Sequence, residues 1–188
     1  MRVTTGEAKG RRLAAVPGDT TRPITDRVKQ ALFNILSDRV EGASLLDLFA
    51  GTGGVGIEAL SRGAERVTFV EKAERAAQVI RANLKATGLA DRARIARQDV
   101  FRFLATPPEG RYDLIYVAPP QYQGLWAKTV EALDKADWLA EDGLIIVQIF
   151  PKEYEELPLA RLRVCDQRRY GSTLLVFYEW AEAVGKDH

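Results

Sequence analysis

A chain of 188 residues, 46% hydrophobic and 28% charged, is long enough to bury one core without disulfide or metal staples. Its single cysteine, Cys165, and single histidine, His188, exclude a disulfide framework and any His/Cys metal centre. The net charge of +1 is uneven, because residues 1–40 hold eight Lys/Arg against four Asp/Glu and leave −3 for the rest. Such a basic front suits a phosphate backbone, or a solvated surface.

No run reaches the roughly 18 apolar residues of a membrane span. The opening MRVTTGEAKGRRLAAV has no apolar stretch of the export type, so a cytoplasmic protein without membrane contact is expected. Residues 1–21 carry Gly6, Gly10, Pro17 and Gly18 among short β-prone pieces. They read as a small hairpin or arm rather than a core element, able to fold over a substrate. Thr25 or Asp26 then caps a helix whose Val28, Leu32, Ile35 and Leu36 share one face, with Gly42 just past its end.

From Leu45 the pattern alternates: strand 45–49, helix 54–62, strand 66–71, helix 73–87, strand 93–97, helix 100–105, strand 112–117, helix 124–136 and strand 143–149. That alternation predicts an α/β fold with parallel strands. After Pro151 two β-rich pieces, 161–168 and 173–180, flank Tyr170-Gly171-Ser172 and read as a closing antiparallel pair. Cys165 falls in the first of them and reads as ordinary core. The chain thus divides into arm and covering helix (1–40), a ligand-binding body (41–181) and a frayed tail (182–188).

Within the body, LLDLFAGTGGVGIEAL (45–60) is an apolar run broken by Gly51-x-Gly53-x-x-Gly56, a strand, glycine turn and helix. Glycines at those spacings allow a tight turn, close approach of backbone N–H groups to a ligand, and packing of helix on strand. The spacing fits nicotinamide, flavin and S-adenosylmethionine alike. Twenty residues beyond Gly51, Glu71 ends the second strand, where a carboxylate accepts from both hydroxyls of a ribose or caps the next helix. Asp99, followed by Phe101, suits an adenine amino group or the N-cap of the helix at Val100. Asp47 lies inside a buried parallel strand and must find N–H groups or a ligand; it is expected to brace the glycine loop. Beyond the fourth strand, Ala118-Pro119-Pro120-Gln121-Tyr122 forms a rigid, acceptor-rich rim with a ring for stacking a flat base.

Gly10-Arg11-Arg12-Leu13, Arg22-Pro23-Ile24-Thr25-Asp26-Arg27-Val28 and Leu32-Phe33-Asn34 form one set of marks. A second set is Asp47-Leu48-Phe49-Ala50-Gly51-Thr52-Gly53 with Gly56, Glu58-Ala59-Leu60-Ser61-Arg62-Gly63-Ala64, Val70-Glu71, Asn83 and Tyr170-Gly171. Over nearly its whole length the chain resembles the class I methyltransferases that use S-adenosylmethionine, and within them the bacterial 16S rRNA guanine-N2 methyltransferases of the RsmD type. The resemblance implies a Rossmann-like, seven-stranded mixed sheet with a reversed last strand and helices on both faces. It implies S-adenosylmethionine as cofactor, with Gly51, Gly53 and Gly56 on its methionine side and Asp47 and Phe49 among the residues that bind it. Glu71 would serve the ribose and Asp99 the adenine, with Lys72 and Val100 beside them. The substrate would be a guanine of 16S rRNA, free or in a 30S assembly particle, reached by a monomer without metal. Arg11, Arg12, Arg22, Arg27 and Lys29 become candidate phosphate contacts.

One position departs from the family, whose fourth-strand motif is similar to Asp-Pro-Pro-Tyr or Asp-Pro-Pro-Phe. Here Ala118 replaces the acid that accepts a hydrogen bond from the target amine, and Gln121 replaces the ring. Losing one strong transition-state hydrogen bond costs about 2–3 kcal/mol, about two orders of magnitude in rate. Positioning of an activated methyl donor survives that loss. The Ala118 and Pro119 carbonyls remain, Tyr122 stacks one place late, and Gln121 accepts through its amide oxygen. A slower enzyme is expected, with an RNA-binding assembly protein that has lost the chemistry as the rival. A nicotinamide oxidoreductase lacks an acid/base candidate, and a cytosine C5 methyltransferase needs a cysteine by the pocket.

Overall fold

Ser44–Leu48 (β1) is buried along its whole length because it lies in the middle of a sheet covered on both faces. The computed structural model describes residues 1–18 and 23–182. The other strands are Arg66–Val70 (β2), Ala93–Ala96 (β3), Tyr112–Val117 (β4), Leu139–Ile149 (β5), Leu162–Tyr170 (β6) and Thr173–Trp180 (β7), in the order β3-β2-β1-β4-β5-β7-β6. The first five run parallel, and β7 is antiparallel to both β5 and β6, so the seven-stranded sheet is mixed and its last strand reversed.

Helices Asp26–Leu36 (α1), Gly54–Ser61 (α2) and Glu74–Thr87 (α3) cover one face, burying Leu32, Ile57, Leu60 and Ile80 against Leu45, Phe69 and Tyr116. Val100–Ala105 (α4) and Leu125–Asp134 (α5) cover the other with Phe103, Trp126, Val130 and Leu133. Thr25 Oγ1 accepts from Val28 N at 3.2 Å and caps α1. On α1 Ile35 is only half-buried, and Phe33 takes the deep position.

Three expectations change. The arm is pinned by an isolated antiparallel bridge between Arg2 and Arg12, and its Val3, Ala8 and Leu13 are buried in the core, so it contributes to the core it was expected only to overlie. β5 begins at Leu139 rather than 143, because exposed Glu141 and Asp142 before Gly143 look like a turn in sequence. Cys165 is exposed: β6 is the edge strand, and its register slips between Val164 and Asp166. The 183–188 tail, with His188, lies outside the described residues.

Candidate active site

The carboxyl ends of β1, β4 and β5 open on one cavity of about 220 Å³. Ligands bind at that edge of a parallel sheet because helix N-termini and loop amides converge there. Asp47, Phe49, Gly51 and Thr52 line it from the end of β1, and Ala118, Pro119 and Gln121 from the end of β4. Gln148 and Phe150 from the end of β5, and Ser172 and Thr173 from the β6–β7 turn, close the back. Met1, Ala15 and Val16 of the arm, with Ile24 and Thr25, overhang it.

The glycines divide their labour. Gly51 sits at φ +57° and an added Cβ there would meet nothing within 4 Å, so its backbone faces open space. Gly53 is the left-handed N-cap of α2. At Gly56 a Cβ would lie 2.4 Å from Phe69 Cε1, so this glycine lets α2 pack on β2 and does not line the cavity. Phe49, a non-glycine at φ +60°, holds a strained conformation at the loop entrance, with its ring edge-on to Phe101 at 6.4 Å.

Glu71 holds the loop from the side. Its Oε2 accepts from Gly51 N at 3.0 Å and its Oε1 from Ala73 N at 3.2 Å, so the acid both braces the turn and satisfies the start of α3. Asp99 caps α4 through Oδ1, which accepts from Phe101 N at 2.9 Å and Arg102 N at 3.2 Å. Glu71, Lys72, Asp99 and Val100 follow β2 and β3 along the same sheet edge, outside the cavity itself. Val100, the first residue of α4, is buried, whereas Lys72 and Asp99 are exposed.

Asp47 is 1% exposed, and among the described residues its Oδ2 has no hydrogen-bond partner. Burial pushes its carboxyl well above the usual carboxylate range; the Gly56 amide pulls it down and the Glu71 charge adds to the rise. Tyr116, its register partner on β4, donates its hydroxyl to Gln148 Oε1. A carboxyl that is bonded by the Gly56 amide but leaves Oδ2 unpartnered in the lining of a cavity under a glycine loop is chemically matched to an ammonium group. The amino-acid end of S-adenosylmethionine carries one, so the residues present fit that cofactor.

On the rim, Ala118 is half-buried with no polar side chain, Pro119 is buried, and Pro120 is exposed outside the cavity. Glu153 ties the rim to the end of β5: its Oε1 accepts from Tyr122 N at 2.6 Å and its Oε2 from Phe150 N at 3.1 Å. Gln121 and Tyr122 are both exposed, and Gln121 reaches the cavity wall.

Of the predicted phosphate contacts, Arg11, Arg12 and Arg27 are exposed, and Arg22 lies outside the described residues. Lys29 is a correction. Its ammonium is 0% exposed, donates to Arg2 O at 2.7 Å and lies 3.5 Å from Glu58 Oε1. Desolvation lowers its pKa against the opposing pull of Glu58 and Asp26. It fastens the arm to α1 and α2, and cannot meet a phosphate there. Sequence reasoning also missed Gln148, Phe150, Ser172 and Thr173 as cavity residues. The first two end a parallel strand, which was a usable signal; nothing local announces where the β6–β7 turn would land. Among the described residues no helix is long and apolar enough to cross a membrane, and no group of three or more His/Cys/Asp/Glu is placed to hold a metal.

Comparison with known proteins adds to this geometry. The family described as "Conserved hypothetical protein 95" matches residues 1–179. "Putative rRNA methyltransferase YlbH" of Bacillus subtilis is 39% identical over 183 residues, 95% of this chain and 98% of that protein. "Ribosomal RNA small subunit methyltransferase D" of Escherichia coli is 38% identical over 151 residues, 79% of this chain and 74% of that protein. The solved structure "Putative methyltransferase yhhF from Escherichia coli" superposes with a TM-score of 0.83 at 34% identity, covering 96% of this chain and 97% of that one.

Proposed function

Since the chain belongs to the Conserved hypothetical protein 95 family, we propose that it is a methyltransferase of small-subunit ribosomal RNA that uses S-adenosylmethionine and targets the exocyclic N2 amine of a guanine. The observation that carries this reading is the cavity itself, whose lining brings the Gly51 loop and the unpartnered Asp47 Oδ2 together with Ala118 and Pro119 of the rim. A cofactor wall and an acceptor-rich wall share one space.

Bound S-adenosylmethionine supplies an activated methyl group. In this reading Asp47 and the Gly51 loop would hold its amino-acid end, and Glu71 and Asp99 would hold its ribose and adenine. The guanine lies on the open face of Tyr122, whose other face rests on Phe150. The carbonyls of Ala118 and Pro119 would accept hydrogen bonds from the amine and so orient it. Gln121 adds an amide oxygen at the wall. Arg11, Arg12 and Arg27 supply the phosphate contacts. Such a protein works where ribosomes are assembled, in the cytoplasm.

Ala118 supports a second reading, a family member that binds small-subunit RNA with its chemistry weakened or lost. Incubating the protein with labelled S-adenosylmethionine and undermodified 30S particles separates the two. Label in N2-methylguanine of 16S rRNA is the expected result; cofactor and particle binding without label would sink the catalytic reading.

A further inference from the structure

The arm is held in two parts by different means. Residues 2–13 are fastened to themselves and to α2: Val3 N donates to Arg11 O at 2.9 Å, Thr4 N to Glu58 Oε1 at 2.9 Å, and Ala8 N to Ser61 Oγ at 2.9 Å. From Ala14 to Gly18 there is no strand partner, and the backbone is held by side chains of α3. Asn83 grips Ala14 on both sides, accepting from its N–H at 2.7 Å and donating from Nδ2 to its carbonyl at 3.1 Å. Arg75 Nη1 donates to Pro17 O at 3.3 Å.

The same Asn83 Nδ2 donates to Thr52 O at 3.0 Å, inside the glycine loop. One amide, 2% exposed, therefore joins the strap over the cavity to the loop beneath it. Ala15 and Val16, next along the strap, line the cavity, and exposed Arg11 and Arg12 stand just before it.

We propose that Asn83 is a positioning residue coupling cofactor binding in the glycine loop to RNA binding by the arm. The proposal rests on the reading that S-adenosylmethionine and RNA occupy those two surfaces. A ligand that orders Gly51–Gly53 fixes the Thr52 carbonyl, and with it the plane of the Asn83 amide. A fixed amide plane sets both backbone groups of Ala14, so the strap is ordered before RNA arrives and RNA meets a smaller entropic cost. Linkage makes the effect reciprocal: each ligand tightens the other by the same factor.

The test measures binding of undermodified 30S particles with and without saturating S-adenosylhomocysteine, for the wild type, Asn83→Ala and Ala14→Pro. In the wild type S-adenosylhomocysteine should tighten particle binding about fivefold or more. Asn83→Ala should bring that ratio close to one while each ligand alone still binds. Ala14→Pro removes the strap's N–H donor at an exposed position, leaves the Asn83–Thr52 bond in place, and should collapse the ratio in the same way; it keeps the test open if Asn83→Ala does not fold. A wild-type ratio of one, or a full ratio retained by a folded variant, overturns the coupling and leaves the functional reading standing. Failure of the wild type to bind either ligand overturns the functional reading, and the coupling falls with it.

Discussion

Tyr122 lies nearly flat on Phe150, with ring centroids 5.2 Å apart at 18°, and still exposes 64% of its surface. The pair joins the rim after β4 to the end of β5 and leaves one aromatic face open. Tyr122→Ala should lower kcat/KM for RNA about 10- to 100-fold, the value of one stacked base, without changing cofactor affinity. Steady-state methylation together with calorimetry of cofactor binding checks this; an unchanged kcat/KM places the base elsewhere.

Ala118→Asp restores an acceptor at the head of the rim. Single-turnover methylation should accelerate about tenfold to a hundredfold, with cofactor affinity unaltered. An unchanged rate would show that the missing acid does not limit this site.

Asp47→Asn should separate stability from binding. Burial holds the Asp47 carboxyl well above its ordinary pKa, so the native state keeps a proton that the unfolded chain releases. The sign follows: stability is greatest below the unfolded carboxylate pKa and declines as pH rises toward the native value. The asparagine variant lacks that decline, so in the absence of cofactor it should be more stable than the wild type at pH 8 and little different at pH 4. Cofactor affinity should fall about tenfold or more, because a charge-assisted bond is lost. Thermal melts at both pH values and calorimetry read the two effects.

The basic residues of the front should split into two groups. Arg11→Gln and Arg12→Gln are expected to leave the melting temperature unchanged, weaken RNA binding, and reduce the slope of log affinity against log salt by about one each. Lys29→Met should instead cost about 3–5 kcal/mol, because it strips a cation from the buried Glu58, and leave the salt slope untouched. A Lys29 variant that altered the slope would restore it as a phosphate contact.

Asp134 anchors the chain entering β6, accepting from Ala160 N, Arg161 N and Leu162 N at 2.9, 2.8 and 2.8 Å. Burial works to raise its pKa, and those three amides, with the Arg161 charge, outweigh it and hold the value below the ordinary one. The stabilisation is present above the unfolded carboxylate pKa and is lost as pH falls through the native one. Asp134→Ala should cost about 2–4 kcal/mol at neutral pH and flatten the acid limb of the stability curve, read by urea unfolding from pH 3 to 7.

Much of the α/β alternation was legible because it is written in periods of two and 3.6, which depend on residues a few places apart. The start of β5 was not, since Glu141-Asp142-Gly143 carries turn chemistry inside a strand. The glycine loop was legible as a ligand turn, whereas the packing of Gly56 on Phe69 was not. Spacing announces that a glycine is needed, and only packing tells against what.

By itself the sequence determined the parallel α/β body, the closing antiparallel pair, the glycine turn at the end of β1 and the missing acid at Ala118. Each is a property of local pattern or of residue identity. The tertiary structure decided which distant segments share the cavity: Met1, Thr25, Asp47, Ala118, Gln148 and Ser172 meet only once the sheet has ordered its strands. It also turned Lys29 from a surface charge into a buried fastener and Cys165 from core into edge. Burial and partnership are set by contacts between residues far apart in sequence, and no periodicity within a segment encodes them.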